Sequence, residues 1–146
     1  MKRSSPVPLA IVILICSAIP GAGTSAEPNQ PGYKIYDHVV MATPPATGEH
    51  KFQLVVPEKL EIVRGILVVG PYSGGDSRDY YQQVWYREFL NLHSFAFLGA
   101  TNYYMHDYQV MQAALKQLAA DCKHPELVDA PYAVTGFSAG GGYTRK

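Results

Sequence analysis

Residues 131–140 read Pro-Tyr-Ala-Val-Thr-Gly-Phe-Ser-Ala-Gly, and this stretch decides the fold class. A short apolar run, Tyr132–Val134, leads directly into a G-x-S-x-G pentapeptide centred on Ser138. A serine becomes a useful nucleophile on a sharp turn between a strand and a helix, where its hydroxyl projects from the backbone. Such a turn leaves no room for side chains two residues before and after the serine, and Gly136 and Gly140 occupy those positions. The pattern therefore predicts a nucleophilic serine at the end of a buried strand.

The same residues permit two other interpretations. A glycine-rich loop after a strand would need no chemistry, and so short a motif carries a real risk of a chance match. A degraded dinucleotide fingerprint would use Gly136, Ser138 and Gly141, but its second position needs glycine so that the backbone can approach a pyrophosphate. Serine stands there instead, and the turn follows several earlier predicted strands. The nucleophile interpretation is favoured.

Length and charge restrict the function classes. With 146 residues the chain is long enough for one ordinary domain. Its 12 basic and 12 acidic side chains cancel, so we expect no nucleic-acid partner. The 5 histidines show no H-x-x-x-H spacing and the 2 cysteines no C-x-x-C spacing. We therefore expect no metal site, and no cofactor of another kind is indicated.

The N-terminus has the pattern of an export signal. Lys2 and Arg3 precede an apolar core at 9–19, and Thr24-Ser25-Ala26 offers small residues for cleavage. We therefore expect residues 1–26 to be a signal peptide that is cleaved after Ala26, and the protein to be secreted or periplasmic. The apolar core is shorter than the roughly 20 residues that span a bilayer, so no stable membrane span is expected after cleavage. An uncleaved N-terminal anchor is the alternative.

The rest of the chain divides into a short linker, predicted at 27–32, and a series of strands. The second strand alternates apolar and polar residues, and the Pro and Gly residues before it predict an antiparallel pair with the first strand at a sheet edge. The third strand ends in four consecutive apolar residues, which is typical of a strand buried on both faces. The five predicted strands cover 33–41, 50–56, 62–69, 95–100 and 131–135.

Two helices are predicted between the last three strands. The first covers about 79–92, and its apolar face would consist of Tyr81, Trp85, Phe89 and Leu92. The second begins near Asp107, a suitable N-cap residue. Its apolar stripe, which would bury the cysteine, consists of Val110, Ala114, Leu118 and Cys122. Because strands and helices alternate from residue 62 onward, the expected fold class is α/β, with a mostly parallel sheet and helices on both faces.

This order of elements resembles the α/β-hydrolase fold, in which the nucleophile follows the fifth strand. The likeness is carried by Gly-Pro-Tyr-Ser-Gly-Gly at 70–75 and Gly-Phe-Ser-Ala-Gly-Gly at 136–141. Over residues 33–146 the chain looks most like secreted esterases of the dienelactone-hydrolase and polyhydroxybutyrate-depolymerase type. The resemblance implies a three-layer sandwich, incomplete here, with 33–146 forming its N-terminal portion and ending soon after the nucleophile.

The resemblance also implies an oxyanion hole made of two backbone N–H groups. One would come from Ala139, the residue after the nucleophile, and one from the loop after the third strand. Aligned on the glycines of that loop, Tyr72 takes the donor position. The chain has Gly-Pro where the family has a histidine, and Pro71 has no N–H to donate, so Ser73 is the alternative donor. A simpler interpretation is that residues 74–75 only turn the chain.

In the family the nucleophile is followed by an acidic residue and then by a histidine. Residues 139–146 contain neither. The upstream residues His93, His106 and Asp107 would require an unusual triad order, so a truncated domain is the favoured explanation.

The expected function is that of a secreted serine hydrolase that cleaves a small-molecule or polymeric carboxylic ester through an acyl-enzyme on Ser138. One alternative is a catalytically silent module of the same fold, used for binding. Another is a serine peptidase of the prolyl-oligopeptidase type.

Overall fold

A computed structural model of the chain describes residues 11–12, 32–42, 48–101 and 108–145. Several sequence predictions lie outside these residues: the cleavage site at Ala26, all of the linker but its last residue, His106, and the proposed N-cap Asp107. Within the described ranges, three short 3-10 helices accompany the main elements, at Arg78–Gln82, Pro125–Val128 and Ser138–Arg145. The main elements are β1 Ile11–Val12, β2 Tyr33–Ala42, β3 Gly48–Pro57, β4 Gly65–Gly70, α1 Val84–His93, β5 Phe95–Ala100, α2 Tyr108–Cys122 and β6 Tyr132–Gly136.

The strands form one mixed sheet in the order β1-β6-β4-β5-β3-β2, in which β1 is only two residues long. The central strand β4 is parallel to both of its neighbours, β5 and β6, and β6 is parallel to β1. At the other side of the sheet, β3 is antiparallel to β5 and to the edge strand β2. The α/β class and the antiparallel pair at a sheet edge are therefore confirmed.

All six residues of β4 are buried, which agrees with the apolar run that predicted a doubly covered strand. The strand begins at Gly65 rather than at the predicted residue 62, and Ile62 is exposed. Gly65 lies against the aromatic ring of Phe95, where an added Cβ would come within 2.4 Å of a ring carbon. A side chain at position 65 would therefore have to displace the Phe95 ring.

Helices cover both faces of the sheet, so the fold has three layers. On one face the predicted stripe of α2 is buried as expected, and it packs against Phe52, Leu54, Val68 and Leu98 of the strands. On the other face α1 buries Tyr86 and Leu90. These two side chains belong to a second cluster, in which the residues of the strands are Val55, Leu67, Val69, Phe97 and Ala133.

The predicted apolar face of the first helix is correct for two of its four residues: Tyr81 and Phe89 pack in the cluster on this side of the sheet, and the other two do not. Gln83 is extended (φ −69°, ψ 136°) and separates the 3-10 helix at 78–82 from α1. A helical spacing counted through this residue loses its phase, because an extended residue does not continue the rotation of a helix. Trp85 and Leu92 are consequently 45% and 79% exposed. The residues that α1 buries are instead Tyr86, one position after Trp85, and Leu90, two positions before Leu92.

Cys122 is a buried free thiol, as the α2 stripe predicted. Burial raises the pKa of this thiol, and hydrogen bonds to nearby backbone groups only partly offset the effect. The cysteine is therefore a neutral core residue at physiological pH. Among the described residues, neither helix has the length and apolarity needed to cross a membrane.

Two leucines of α1 can be used to test which face of this helix is buried. Leu90→Ala removes a fully buried side chain and should lower the free energy of unfolding by about 2–5 kcal/mol. Leu92→Ala trims an exposed side chain and should change it by no more than about 0.5 kcal/mol. Urea unfolding followed by circular dichroism measures both. A larger loss for Leu92→Ala would restore the face that the sequence predicted.

Candidate active site

The turn that carries Ser138 has an unusual backbone conformation. Ser138 has φ 56°, a left-handed value that costs non-glycine residues free energy. Two other described non-glycine residues share this feature, Ser94 and Lys123, but they directly follow α1 and α2, where a left-handed residue commonly ends a helix. Ser138 instead stands at the start of a helical segment, two residues after β6 ends. Helix termination therefore does not account for its conformation.

The serine is held at this turn by close backbone packing. An added Cβ at Gly136 would lie 2.4 Å from the carbonyl carbon of Gly140. An added Cβ at Gly140 would lie 2.2 Å from the carbonyl oxygen of Gly70, the last residue of β4. Neither position can hold a side chain without moving the backbone. The segment after Ser138 is therefore pressed against the carboxyl end of β4, while Ser138 itself is exposed.

The same packing brings two loops together. Gly70 and Gly136 are partners in the parallel ladder between β4 and β6, so the loops that follow them leave the sheet side by side. Pro71 of the first loop contacts Gly140 of the second, since an added Cβ at Gly140 would lie 2.7 Å from the Pro71 carbonyl oxygen. Tyr72 follows Pro71 in the sequence, and Ala139 precedes Gly140. Their backbone amides therefore lie at the same edge of the sheet as Ser138.

The loop after β4 makes a tight turn at Tyr72. The Gly75 N–H donates to the Tyr72 carbonyl oxygen at 2.8 Å, and Gly74 takes φ 73° inside the turn. The Tyr72 ring lies over Gly75, and it would be 2.8 Å from a Cβ there. Among the described residues, the Tyr72 N–H has no acceptor. Residues 74–75 do turn the chain, as the simpler interpretation expected, and this turn uses the Tyr72 carbonyl oxygen rather than the Tyr72 N–H.

Ser77 anchors this loop, and sequence reasoning missed it. Its side chain is completely buried between the ends of β4 and β5. The hydroxyl donates to the Val69 carbonyl oxygen at 2.6 Å and accepts the Ala100 N–H at 3.0 Å, while the Ser77 N–H donates to the Ala100 carbonyl oxygen at 3.1 Å. Gly99 lets the loop come close, because a Cβ there would lie 2.7 Å from the Ser77 carbonyl oxygen. A serine in a polar loop carries no sequence signal for such a role.

The acidic residue of this loop, Asp76, is already paired. Arg78 binds its carboxylate with two side-chain groups, Nε at 3.0 Å from Oδ1 and Nη2 at 2.7 Å from Oδ2. Partial burial raises the pKa of the Asp76 carboxyl, but the hydrogen bonds and charge of Arg78 outweigh this effect and hold the pKa below its usual value. Asp76 is thus ionised and paired with Arg78.

None of the described histidines lies beside Ser138. His93 ends α1 at the amino end of β5, the opposite end of the sheet from the serine, so the sequence alternative that used it as a base is wrong. His124 precedes β6 and is hydrogen-bonded to Glu126 at 2.9 Å. His50 is buried on β3, and three strand spacings separate β3 from β6, about 14 Å. His38, on β2, is one strand further away.

The described residues contain no group of three His, Cys, Asp or Glu side chains that could hold a metal ion. The polar groups at the carboxyl ends of β4 and β6 include the exposed hydroxyls of Ser73 and Ser138, the Asp76–Arg78 ion pair and nearby backbone amides. Such a set can present a nucleophile and stabilise negative charge that develops on an oxygen atom.

Comparison with known proteins gives a similarity to human Paladin. The chain is 32% identical to human Paladin over 109 residues, which are 75% of this chain but 12% of Paladin. The chain thus spans only a small part of the length of this relative. No family model matches the sequence, and no solved structure matches it either.

The role of Ser77 can be measured by its removal. Ser77→Ala leaves the Val69 carbonyl and the Ala100 N–H without their buried partner, so the free energy of unfolding should fall by about 1–3 kcal/mol. Ser73→Ala, four residues earlier in the same loop, removes an exposed hydroxyl and should change it by no more than about 0.5 kcal/mol. Urea unfolding of the two variants measures both changes in the free energy of unfolding. Equal stabilities would mean that Ser77 does not anchor the loop.

Proposed function

We propose that the chain belongs to a serine hydrolase of the α/β-hydrolase type that cleaves carboxylic esters through an acyl-enzyme on Ser138. The observation that carries the proposal is the left-handed backbone of Ser138 on an exposed turn directly after a strand inside the sheet. Strained residues of this kind cluster at active sites, because the surrounding structure holds them there at a cost in stability. A nucleophilic serine between a strand and a helix is one known use of such strain.

In the proposed reaction, the Ser138 hydroxyl oxygen attacks the carbonyl carbon of the ester, and the serine proton passes to a base. The negative charge that develops on the carbonyl oxygen is stabilised by the N–H groups of Tyr72 and Ala139. The base then protonates the departing alkoxide, leaving an ester of Ser138, which water hydrolyses to release the acid. Loss of one such N–H donor typically costs about 3–4 kcal/mol of transition-state stabilisation.

The base and the acid that orients it are the parts of the proposal that rest on resemblance alone. A histidine and a carboxylate in the usual order would come from outside the described residues. The substrate would be a small or polymeric ester, and the N-terminal residues 1–26 would direct the protein to the secretory route or the periplasm.

A second candidate function is a catalytically silent module of the same fold. It is favoured by the positions of the described histidines, which lie on other strands or at the opposite end of the sheet from Ser138. In that case the turn at Ser138 would be a structural feature, and the loops around it would bind a ligand without chemistry.

Labelling with a fluorophosphonate probe separates the two candidates. The full-length protein that contains this chain should form a covalent adduct at Ser138, located by peptide mass spectrometry, and Ser138→Ala should abolish it. Ser73→Ala is the matched control, because it removes an exposed hydroxyl from the neighbouring loop and should leave labelling unchanged.

Failure of a folded sample to react would favour the silent module. An adduct that persists in Ser138→Ala would identify a different nucleophile and would overturn the proposal.

A further inference from the structure

His50 is a buried histidine whose ring nitrogens are unpaired. It is 2% exposed, and since alternate residues of a strand share a face, it lies on the α2 face of the sheet with Phe52. Within the described part of the chain, neither ring nitrogen has a hydrogen-bond partner. A buried polar group without a partner costs stability. Exceptions of this kind are expected where a residue serves a function, so His50 is a candidate for ligand binding.

The strand register places His50 level with Ser138, at the same edge of the sheet. One row of neighbouring residues crosses the sheet from β6 to β3, just inside this edge. The row consists of Gly136, Gly70, Ala100 and Phe52. Ser138 is two residues beyond the row after β6, and His50 is two residues beyond it in β3, which runs in the opposite direction. The two residues are therefore separated along this edge by three strand spacings, about 14 Å.

A small apolar void lies over the strands that separate the two residues. Its volume is about 10 Å³, and it lies between the sheet and the beginning of α2. A void of this size holds at most one water molecule, so a longer ligand has to displace a side chain. Met111 of α2 is suited to this, because its unbranched side chain adapts readily to a new shape. The lining residues are Phe52, Val68, Val69, Leu98, Ala100 and Met111.

The two ends of this path differ in chemistry, and the difference defines a ligand. Ser138 would hold the carbonyl group of an ester. At the other end, an imidazole carries at least one N–H donor, and in its neutral form it has an acceptor as well. A hydroxyl group both donates and accepts, so it can pair with either ring nitrogen of His50. An extended chain needs about ten bonds to cover 14 Å, since three bonds separate Cα atoms 3.8 Å apart.

We infer that Ser138 acts on esters whose acyl chain carries a hydroxyl group at its far end, and that His50 binds this hydroxyl. The inference rests on the proposed function and specifies the class of ester, an ω-hydroxyacyl ester. The methylene groups of the acyl chain lie against the side chains of Phe52 and Met111. His50 is a specificity-determining residue, and its ring gains a hydrogen-bond partner when the substrate binds.

Hydrolysis of nitrophenyl esters by the full-length protein that contains this chain tests the specificity. The value of kcat/KM should be at least tenfold higher for the ω-hydroxydecanoyl ester than for the decanoyl ester, because a site that pairs with a hydroxyl rejects a ligand without one. The ω-hydroxybutanoyl and butanoyl esters are the length control. Their end groups do not reach His50, so the two esters should be hydrolysed at similar rates.

Two histidines on neighbouring strands provide matched variants. His50→Leu should abolish the preference at the decanoyl length, whereas His38→Leu, on β2, should retain it. The midpoint of urea unfolding should rise in His50→Leu, because the substitution removes an unpaired buried polar group. A lower midpoint would mean that the imidazole is already paired and would overturn the inference. No preference at the decanoyl length, an equal preference at the butanoyl length, or a preference that survives His50→Leu would overturn it as well.

Binding to a variant without the nucleophile separates this inference from the proposed reaction. In isothermal titration calorimetry, Ser138→Ala should bind ω-hydroxydecanoate at least tenfold more tightly than decanoate. Equal affinities would overturn the inference and leave the ester chemistry of Ser138 intact. Tighter binding of the hydroxy acid, in a protein that the fluorophosphonate probe does not label, would refute the proposed reaction and support the His50 site as a binding site.

Discussion

The contact between the backbone at Gly140 and the end of β4 governs the rest of the candidate site. The Gly70 carbonyl oxygen stands where a side chain at Gly140 would be, so the chain after β6 has to fold back sharply against its neighbour. The chain turns between Gly136 and Gly140 because Ser138 adopts a left-handed backbone conformation. The strain at the serine and the two glycines around it are thus consequences of one constraint, the close packing of two loops at the carboxyl edge of the sheet.

That edge is also stabilised from the side of β5. Ser77 joins the ends of β4 and β5 through its hydroxyl and its backbone amide, and Gly99 permits the approach. The loop from the end of β4 to Ser77 carries Tyr72. The position of the Tyr72 amide therefore depends on the side chain of Ser77, which is completely buried. A buried hydrogen-bonding group is costly to leave unpaired, and this makes the loop geometry specific. The ion pair of Asp76 with Arg78 adds a partly exposed restraint on the same loop.

The sequence predicted those parts of the fold that depend on local periodicity. The stripe of α2 from Val110 to Cys122 and the buried run of β4 repeat with the period of their element, and both are found as expected. The face of α1 was predicted only in part, because one extended residue, Gln83, interrupts a pattern that looks continuous in the sequence. An extended conformation at a single residue cannot be detected from the spacing of apolar residues in the sequence.

For a related reason, the sequence predicted one part of the candidate site and missed another. The turn at Ser138 was visible because its glycines stand at fixed offsets from the serine. Ser77 was invisible, because its contacts join residues 8 and 23 positions away in the sequence and no short pattern encodes them. The pairing of β1 with β6 was also missed, since residues that fit an export signal gave no reason to expect a strand.

The central claim, that residue 138 is held in a left-handed conformation by its surroundings, is tested most directly by comparing the stabilities of Ser138→Gly and Ser138→Ala. Glycine adopts this conformation without steric cost, whereas alanine has the same Cβ as serine. The account predicts that the glycine variant is more stable than the alanine variant by about 1 kcal/mol in urea unfolding. At an ordinary backbone position the order is reversed, so an alanine variant of equal or greater stability would contradict the account.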